Sequence, residues 1–368
     1  VSRKIEERKK GHLEISLRKN VEADIGAGFD DVILIHKALP EISRSDIDIS
    51  TELFGRTLKA PLILGSMTGG VAEATKINRL LGECAEHHGL AIGVGSQRAA
   101  IENPKLVGTY SVVRETAPTA FVFANLGCPQ FASGYDIEEA KNAVEMIQAD
   151  ALLVHANPLQ ESIQLEGEPN FRGVLSKIKV LASELDVPVV VKETGSGISG
   201  EVASQIERAG AKGVDVAGAG GTSWAKVEYF RAVQVGDRLQ QTLGRTFRNW
   251  GIPTCASIVE ASGSTRLTVI SSGGIRSGLD IAKSIALGAV AGGVALPFLK
   301  AAARGRKYLN EKVETFLEEM RTAMFLVGVR NLDELRHAPL VLSGGIAHWL
   351  NERGYNSTQY ARRGPPHP

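Results

Sequence analysis

The chain has 368 residues, 43% hydrophobic and 23% charged, which is enough to bury a sizeable core and excludes a disordered or fibrous polypeptide. Its 42 basic and 41 acidic residues leave a formal charge of +1, which argues against a nucleic-acid or membrane-surface binder and makes any anion site local. No apolar run approaches the ~20 residues of a membrane span, and the charged start VSRKIEERKK is unlike a signal peptide, so a cytoplasmic protein is expected.

Residues 1–59 read as an N-terminal extension. The charge run from Arg3 to Lys10, followed by His12, is either a solvated segment or a flap that carries cations to a phosphorylated substrate. Residues 32–35 are apolar, and 47–51 with 56–59 flank Phe54-Gly55 as a hairpin suited to capping the bottom of a barrel. From residue 60 the pattern becomes regular. Apolar runs at 61–65, 90–94, 120–124, 151–155, 188–192, 213–217, 267–270 and 290–296 alternate with helical segments, among them 74–87, 137–148, 173–185, 201–209 and 279–287. Eight βα units predict an α/β chain folded as a (β/α)8 TIM barrel over 60–330, because a doubly wound sheet more often stops at five or six strands. His87 and His88 end a helix before Gly89 and read as a solvated last turn. A polar insertion, 231–250, follows the sixth strand, and 331–368 are expected to form a C-terminal tail, helical and then frayed at RRGPPHP. Cys84, Cys128 and Cys255 are odd in number and widely spaced, which fits neither a disulfide framework nor a CxxC metal site.

In such a barrel the loops after the strands meet on one rim, so small and polar residues at nearly every strand end mark a ligand site. They include Gly65-Ser66-Met67-Thr68, Gly95-Ser96-Gln97-Arg98, Asn125, His155 with Asn157, Gln160 with Glu161, Lys192-Glu193-Thr194, Thr222 and Gly273-Gly274. The stretch 269–296 reads as strand, glycine turn, helix and strand, and paired glycines let backbone N–H groups approach a phosphate. One pattern argues otherwise. Gly195-Ser196-Gly197-Ile198-Ser199-Gly200 fits the dinucleotide fingerprint G-x-G-x-x-G, with Asp215 twenty positions on. That fingerprint belongs on the first strand of a nucleotide-binding half, and here four βα units precede it, so it is read as a decoy. Thr222, Gly273-Gly274 and Ala295-Leu296 could grip a phosphate while Met67, Asn125 and Lys192 edge a flat heterocycle. A lysine beside the pyrimidine edge of a flavin would stabilise its anionic reduced form.

With these residues collected, the chain resembles the flavin-dependent type II isopentenyl diphosphate isomerases over nearly its whole length. The matching stretches are Arg8-Lys9 with His12, Asp30-Asp31-Val32-Ile33-Leu34, Met67-Thr68-Gly69-Gly70, Gly93-Val94-Gly95-Ser96-Gln97-Arg98, Ala124-Asn125-Leu126-Gly127, His155-Ala156-Asn157-Pro158 with Gln160-Glu161, Glu166-Gly167-Glu168-Pro169, Val191-Lys192-Glu193, Gly220-Gly221-Thr222 with Trp224, and Gly273-Gly274-Ile275-Arg276-Ser277-Gly278. The specific part is Ser96-Gln97-Arg98 and 157–161; the glycine pairs are shared with other FMN barrels, such as the 2-hydroxy-acid oxidases.

The resemblance implies FMN, active when reduced, held by Gly65, Ser66, Met67, Thr68, Ser96, Asn125, Lys192, Thr222, Gly274, Arg276, Ala295 and Leu296. It implies isopentenyl diphosphate as the substrate, met by Arg8, Lys9, His12, Ser96, Gln97, Arg98, His155, Asn157 and Gln160, with Glu161 on Mg2+. Gln160, His155 and Lys192 become the expected catalytic residues, NADPH or NADH the reductant, and a homo-oligomer (tetramer or octamer) the assembly. Where family members often carry Ser and Gln, this chain has Ala217 and Ala219, which removes one phosphate-side contact. The rival is an FMN-dependent 2-hydroxy-acid oxidase or dehydrogenase on the same barrel. Such a site wants a His base beside an Arg late in the barrel, and no His lies between His155 and His337.

Overall fold

The computed structural model describes residues 2–65 and 67–364, with residues 2–4 described as backbone alone. Eight parallel strands close into a barrel in chain order: Leu62–Leu64, Ala91–Gly93, Phe121–Gly127, Ala151–His155, Val189–Lys192, Gly213–Asp215, Thr268–Ser272 and Ala291–Val294. The last strand pairs with the first, so no edge is left open.

The strands form here because both of their faces are covered, which favours near-continuous apolar runs. Alternation sorts the side chains. Leu62, Leu64, Ile92, Val122, Ala124, Leu126, Leu152 and Val154 lie in the layer under the helices, whereas Ile63, Ala91, Phe121, Phe123, Leu153, Val190 and Ile270 fill the interior. A fully buried phenylalanine contributes roughly 1.5–3 kcal/mol, so Phe121→Ala would cost the lower barrel most of that and open a void beside Phe123, 4.9 Å away ring to ring.

The expected hairpin forms, with Thr51–Leu53 antiparallel to Arg56–Leu58. Phe54 and Gly55 turn the corner with φ of 49° and 81°. Leu53, Leu58 and Phe54 pack into the interior cluster, and the Phe54 ring lies 6.1 Å from that of Phe121. The bottom of the barrel is thereby plugged.

Three local expectations are corrected. The insertion starts before 231, because Trp224–Val235 and Arg238–Thr246 form a helical hairpin, with Asp237 accepting from the Gln240 amide at the second helix's start. Helix Thr254–Ser264 then returns to the barrel wall. The eighth strand stops at Val294, and Leu296 opens helix Leu296–Arg304, whose first turn accommodates Pro297, where the missing N–H costs no helical bond.

The tail is not frayed up to Gly364. Leu340–Leu342 pairs antiparallel with Val32–Leu34, and helix Gly344–Glu352 follows with Leu350 fully buried. Arg363 Nη1 donates to the carbonyls of Ala286 (2.6 Å) and Arg336 (3.1 Å), which pins the segment to the barrel. The last four residues of the expected frayed end lie outside the described residues. Among the described residues no helix is long and apolar enough to cross a membrane.

Candidate functional site

The alternation that fills the barrel also delivers its rim. Along five of the strands the residue two positions beyond the last interior side chain faces the cleft at the carboxyl ends: Gly65 after Ile63, Asn125 after Phe123, His155 after Leu153, Lys192 after Val190 and Ser272 after Ile270. Register sets Lys192 between His155 and Asp215 on its two neighbours. Lys192 Nζ lies 3.2 Å from Asp215 Oδ2 and donates to Glu193 O (3.0 Å) and Ser272 Oγ (3.3 Å). Ser272 Oγ donates in turn to Asp215 Oδ1. Asp215, which the sequence offered as part of the dinucleotide fingerprint, is instead the counter-ion that orients the cleft lysine.

The glycines of that fingerprint have an occupant of their own. Glu193 Oε2 accepts the amides of Thr194 and Gly195, each at 2.6 Å, and of Ser196. Burial pushes the Glu193 carboxyl up to about 7, against the three N–H groups and Lys192, which pull it down. Thr194 and Gly195 are thereby held in the cleft wall.

Asn125 is fixed from two sides. Its Nδ2 donates to Val94 O (3.1 Å), so its Oδ1 faces His155 Nδ1 at 2.7 Å, which makes Nδ1 the protonated ring nitrogen. Burial, with Lys192 and Lys9 nearby, depresses His155 to about 3, so the imidazole is neutral. Gln97, expected at the substrate, faces away from the cleft and is fully buried. Its Oε1 accepts the Asn125 amide (2.8 Å) and its Nε2 donates to Ala143 O (2.7 Å), so it positions Asn125 and does not reach a ligand.

Beyond the fourth strand, Asn157 Nδ2 donates to Gln160 Oε1 (3.2 Å) and Glu161 Oε1 (2.9 Å), while Glu161 Oε2 accepts the Glu168 amide (2.8 Å). Gln160 Nε2 donates to Gln164 Oε1 at 3.2 Å. Asn157 Oδ1 and Gln164 Nε2 are buried without a protein partner, two polar atoms beside Gln160 and Glu161 that a ligand would satisfy. Among the described residues no three His, Cys, Asp or Glu side chains cluster as a metal cage. A magnesium ion here would therefore take Glu161 and fill its shell from substrate oxygens and water, its usual habit.

Helix Ser2–Arg18 brings Arg8, Lys9 and His12 to the cleft. Lys9 Nζ donates to Ser96 O (2.8 Å), which also accepts from Tyr110 Oη (2.7 Å). Burial and the neighbouring Arg8 and Arg98 depress Lys9 to about 7. Arg8 is lowered by burial and by Arg98. Within the charge run, Arg8 and Lys9 thus form a half-buried cation arm at the cleft, whose crowding an anion would relieve. Arg98 leans on Glu102 (2.7 Å) at the same rim.

On the far side the loops after the sixth and seventh strands approach as only glycine permits. A Cβ on Gly221 would lie 2.4 Å from the Gly274 nitrogen, and Gly274 itself has φ of 77°. Among the described residues, the amides of Thr222 and Gly274 donate to no protein acceptor. With Ala295 and Leu296 at a helix start, these groups suit the phosphate end of a mononucleotide. Arg276 lines the same side and is paired with Glu22. Met67 and Thr68 line the cleft as expected, Thr68 Oγ1 turned to Asn78. Ser66 lies outside the described residues.

The chain reading missed Glu228, whose Oε1 accepts from His12 Nε2 at 2.7 Å while the His12 ring meets Trp224 edge-on at 5.1 Å. A helical spacing of four between Trp224 and Glu228 was visible and would have put both on one face.

Residues 138–342 match the family model described as FMN-dependent dehydrogenase. Near full-length relatives carry the name isopentenyl-diphosphate delta-isomerase. One from Methanothermobacter thermautotrophicus is 48% identical, covering 98% of this chain and 99% of that protein. Another, from Halobacterium salinarum, is 47% identical over 96% and 98% of the two chains. Among solved structures, a lactate oxidase from Pediococcus acidilactici superposes with a TM-score of 0.65 at 16% identity, covering 93% of this chain and 94% of that one. A flavocytochrome b2 variant gives 0.64 at 19%, covering 97% and 89%. At those identities the likeness is one of fold.

Proposed function

The chain belongs to the isopentenyl-diphosphate delta-isomerase family, built on a barrel of the FMN-dependent dehydrogenase kind, and from that premise we propose how its own residues carry the reaction. Isopentenyl diphosphate gains a proton at its terminal alkene carbon and loses one two carbons away, to give dimethylallyl diphosphate with no net redox change. When bound, reduced FMN supplies a weakly acidic ring nitrogen and an electron-rich face for that proton shift. The glycine loops at Thr222 and Gly274, with Arg276, Ala295 and Leu296, would hold its phosphate. Met67, Thr68, Ser96, Asn125 and Lys192 would edge its ring, Lys192 as the cation beside developing negative charge.

The diphosphate goes to the cation arm. Arg8, Lys9 and Arg98 crowd one another, and an anion between them removes the cost of that crowding. His155 is neutral with its proton on Nδ1 toward Asn125, so its Nε2 would accept a hydrogen bond from the cofactor, and the residue is not the proton store. Gln160 stands between Asn157 and Gln164, its amide oriented by both, and relays or positions a proton without ionising. Glu161 would hold magnesium, whose charge would help to neutralise the diphosphate. The N-terminal helix across the cleft keeps water from a cationic intermediate.

The observation that carries this reading is the cation arm at the mouth of a flavin-type barrel, where Arg8, Lys9 and Arg98 gather more positive charge than the single carboxylate of a 2-hydroxy acid calls for. The test is a visible spectrum of the purified protein, then incubation with isopentenyl diphosphate and magnesium after reduction by dithionite or a nicotinamide. Flavin absorbance and conversion to dimethylallyl diphosphate are expected. Oxygen uptake with lactate or glycolate, and no conversion, would overturn the reading. A homo-oligomeric assembly belongs to the same proposal and is read by light scattering.

A further inference from the structure

Helix Trp224–Val235 presents Trp224, Glu228 and Arg231 at spacings of four and three, one face of the helix. Trp224 lines the cleft and the other two stand behind its wall. Trp224 and Glu228 hold His12 of the N-terminal helix. Glu228 Oε2 accepts from Arg231 Nη1 (2.8 Å), with both side chains at least nine-tenths buried, and Arg231 then makes a two-pronged pair with Glu166 (2.8 and 3.1 Å). Glu166 sits in the loop whose Glu168 amide holds Glu161, and Gly167 is pressed so close to the Glu161 carbonyl that a Cβ there would lie 1.9 Å from it.

One unbroken hydrogen-bonded line therefore runs from His12 through Glu228 and Arg231 to Glu166. We propose that Arg231 is a positioning residue that joins the cation arm and the Glu161 loop into one unit, so that the diphosphate and its magnesium are seated together. The inference rests on the reading of the cleft as a diphosphate site. Arg231 lies behind His12 and Glu161, and its reach is through the Glu228 and Glu166 carboxylates. Its planar fork grips Glu166 with two nitrogens while it also meets Glu228, a bidentate geometry that a lysine ammonium does not reproduce.

The test is binding of inorganic diphosphate to the FMN-loaded protein by calorimetry, with and without magnesium, in a cycle of His12→Gln, Glu166→Gln and the double variant. Glu166 is half exposed, so its replacement leaves the fold intact. The proposal expects the two substitutions to be coupled at least ~3-fold in the magnesium-dependent affinity, although His12 and Glu166 share no contact, with FMN affinity within ~2-fold of the parent. Arg231→Lys should weaken magnesium-dependent diphosphate binding ~10-fold and abolish the coupling. Additive effects, or coupling that survives Arg231→Lys, would overturn the role of Arg231. Failure of the parent protein to bind diphosphate at all would instead remove the cleft reading itself.

Discussion

Lys192→Met separates two roles of one side chain. Lys192 and Asp215 are 14% and 10% exposed as side chains, so solvent screens their pairing weakly. Methionine keeps the volume and leaves Asp215 with the Ser272 hydroxyl and the Ala217 amide at 3.3 Å. Breaking one side of a buried ion pair costs about 3–5 kcal/mol, and the two bonds that remain put this case near the lower end, about 3 kcal/mol. Unfolding entropy of about 2.1 cal/mol/K per residue gives roughly 0.8 kcal/mol/K for a chain of this length, so the apoprotein Tm should fall by about 4 °C. Adding Asp215→Asn removes the stranded charge and should restore most of that loss. FMN affinity should behave differently, falling ~10-fold or more (about 1.4 kcal/mol) in both the single and the double variant. Thermal melts of apoprotein and flavin titrations followed by fluorescence read the two quantities separately. A single variant as stable as the parent within 1 kcal/mol, or a double variant no more stable than the single, would refute the counter-ion argument. Unchanged FMN retention and turnover would refute the place of Lys192 beside the cofactor.

Gly274→Ala should yield protein that folds but is purified with little bound FMN, since the new methyl lies 2.5 Å from the Ala27 Cβ at a φ of 77°, a strain of about 1–3 kcal/mol; flavin content per chain checks it. Lys9, held near 7 when the cleft is free, should regain a higher pKa once an anion sits beside it. Above pH 7 and below the lysine's ordinary range, diphosphate binding then takes up a proton and weakens as pH rises. Calorimetry at pH 8 in buffers of different ionisation enthalpy should report uptake approaching one proton, and none in Lys9→Met. Glu161→Gln should raise the magnesium concentration for half-maximal turnover ~10-fold or more while FMN affinity stays put; an unchanged magnesium requirement removes Glu161 from the metal.

The barrel was legible because its strands are buried on both faces and its helices on one, so apolar runs and helical spacings alternate visibly along the chain. The strand at 340–342 was not, since its partner at 32–34 lies some three hundred residues away and three residues carry little pattern. Polar residues at strand ends located the cleft well and their roles less well. Gln97 looked like a substrate contact, yet its amide is spent on the backbone beside Asn125, a satisfaction that only three-dimensional neighbours reveal. Asp215 and Lys192 stand on adjacent strands, and nothing in linear spacing announces that register. Arg8, Lys9 and His12 could be read as solvated or functional from sequence; the N-terminal helix lies against the rim and brings all three to the cleft.

The loop after the fifth strand brings its own acceptor. Because Glu193 already sits where a glycine-rich turn would otherwise greet a pyrophosphate, the turn is complete before any visitor arrives. Its shape is owed to an internal guest and not to loading, so the empty and filled proteins should share it. A pattern of glycines records how backbone can curl around an oxygen acceptor; whose oxygen it curls around is set here by the neighbour in the chain.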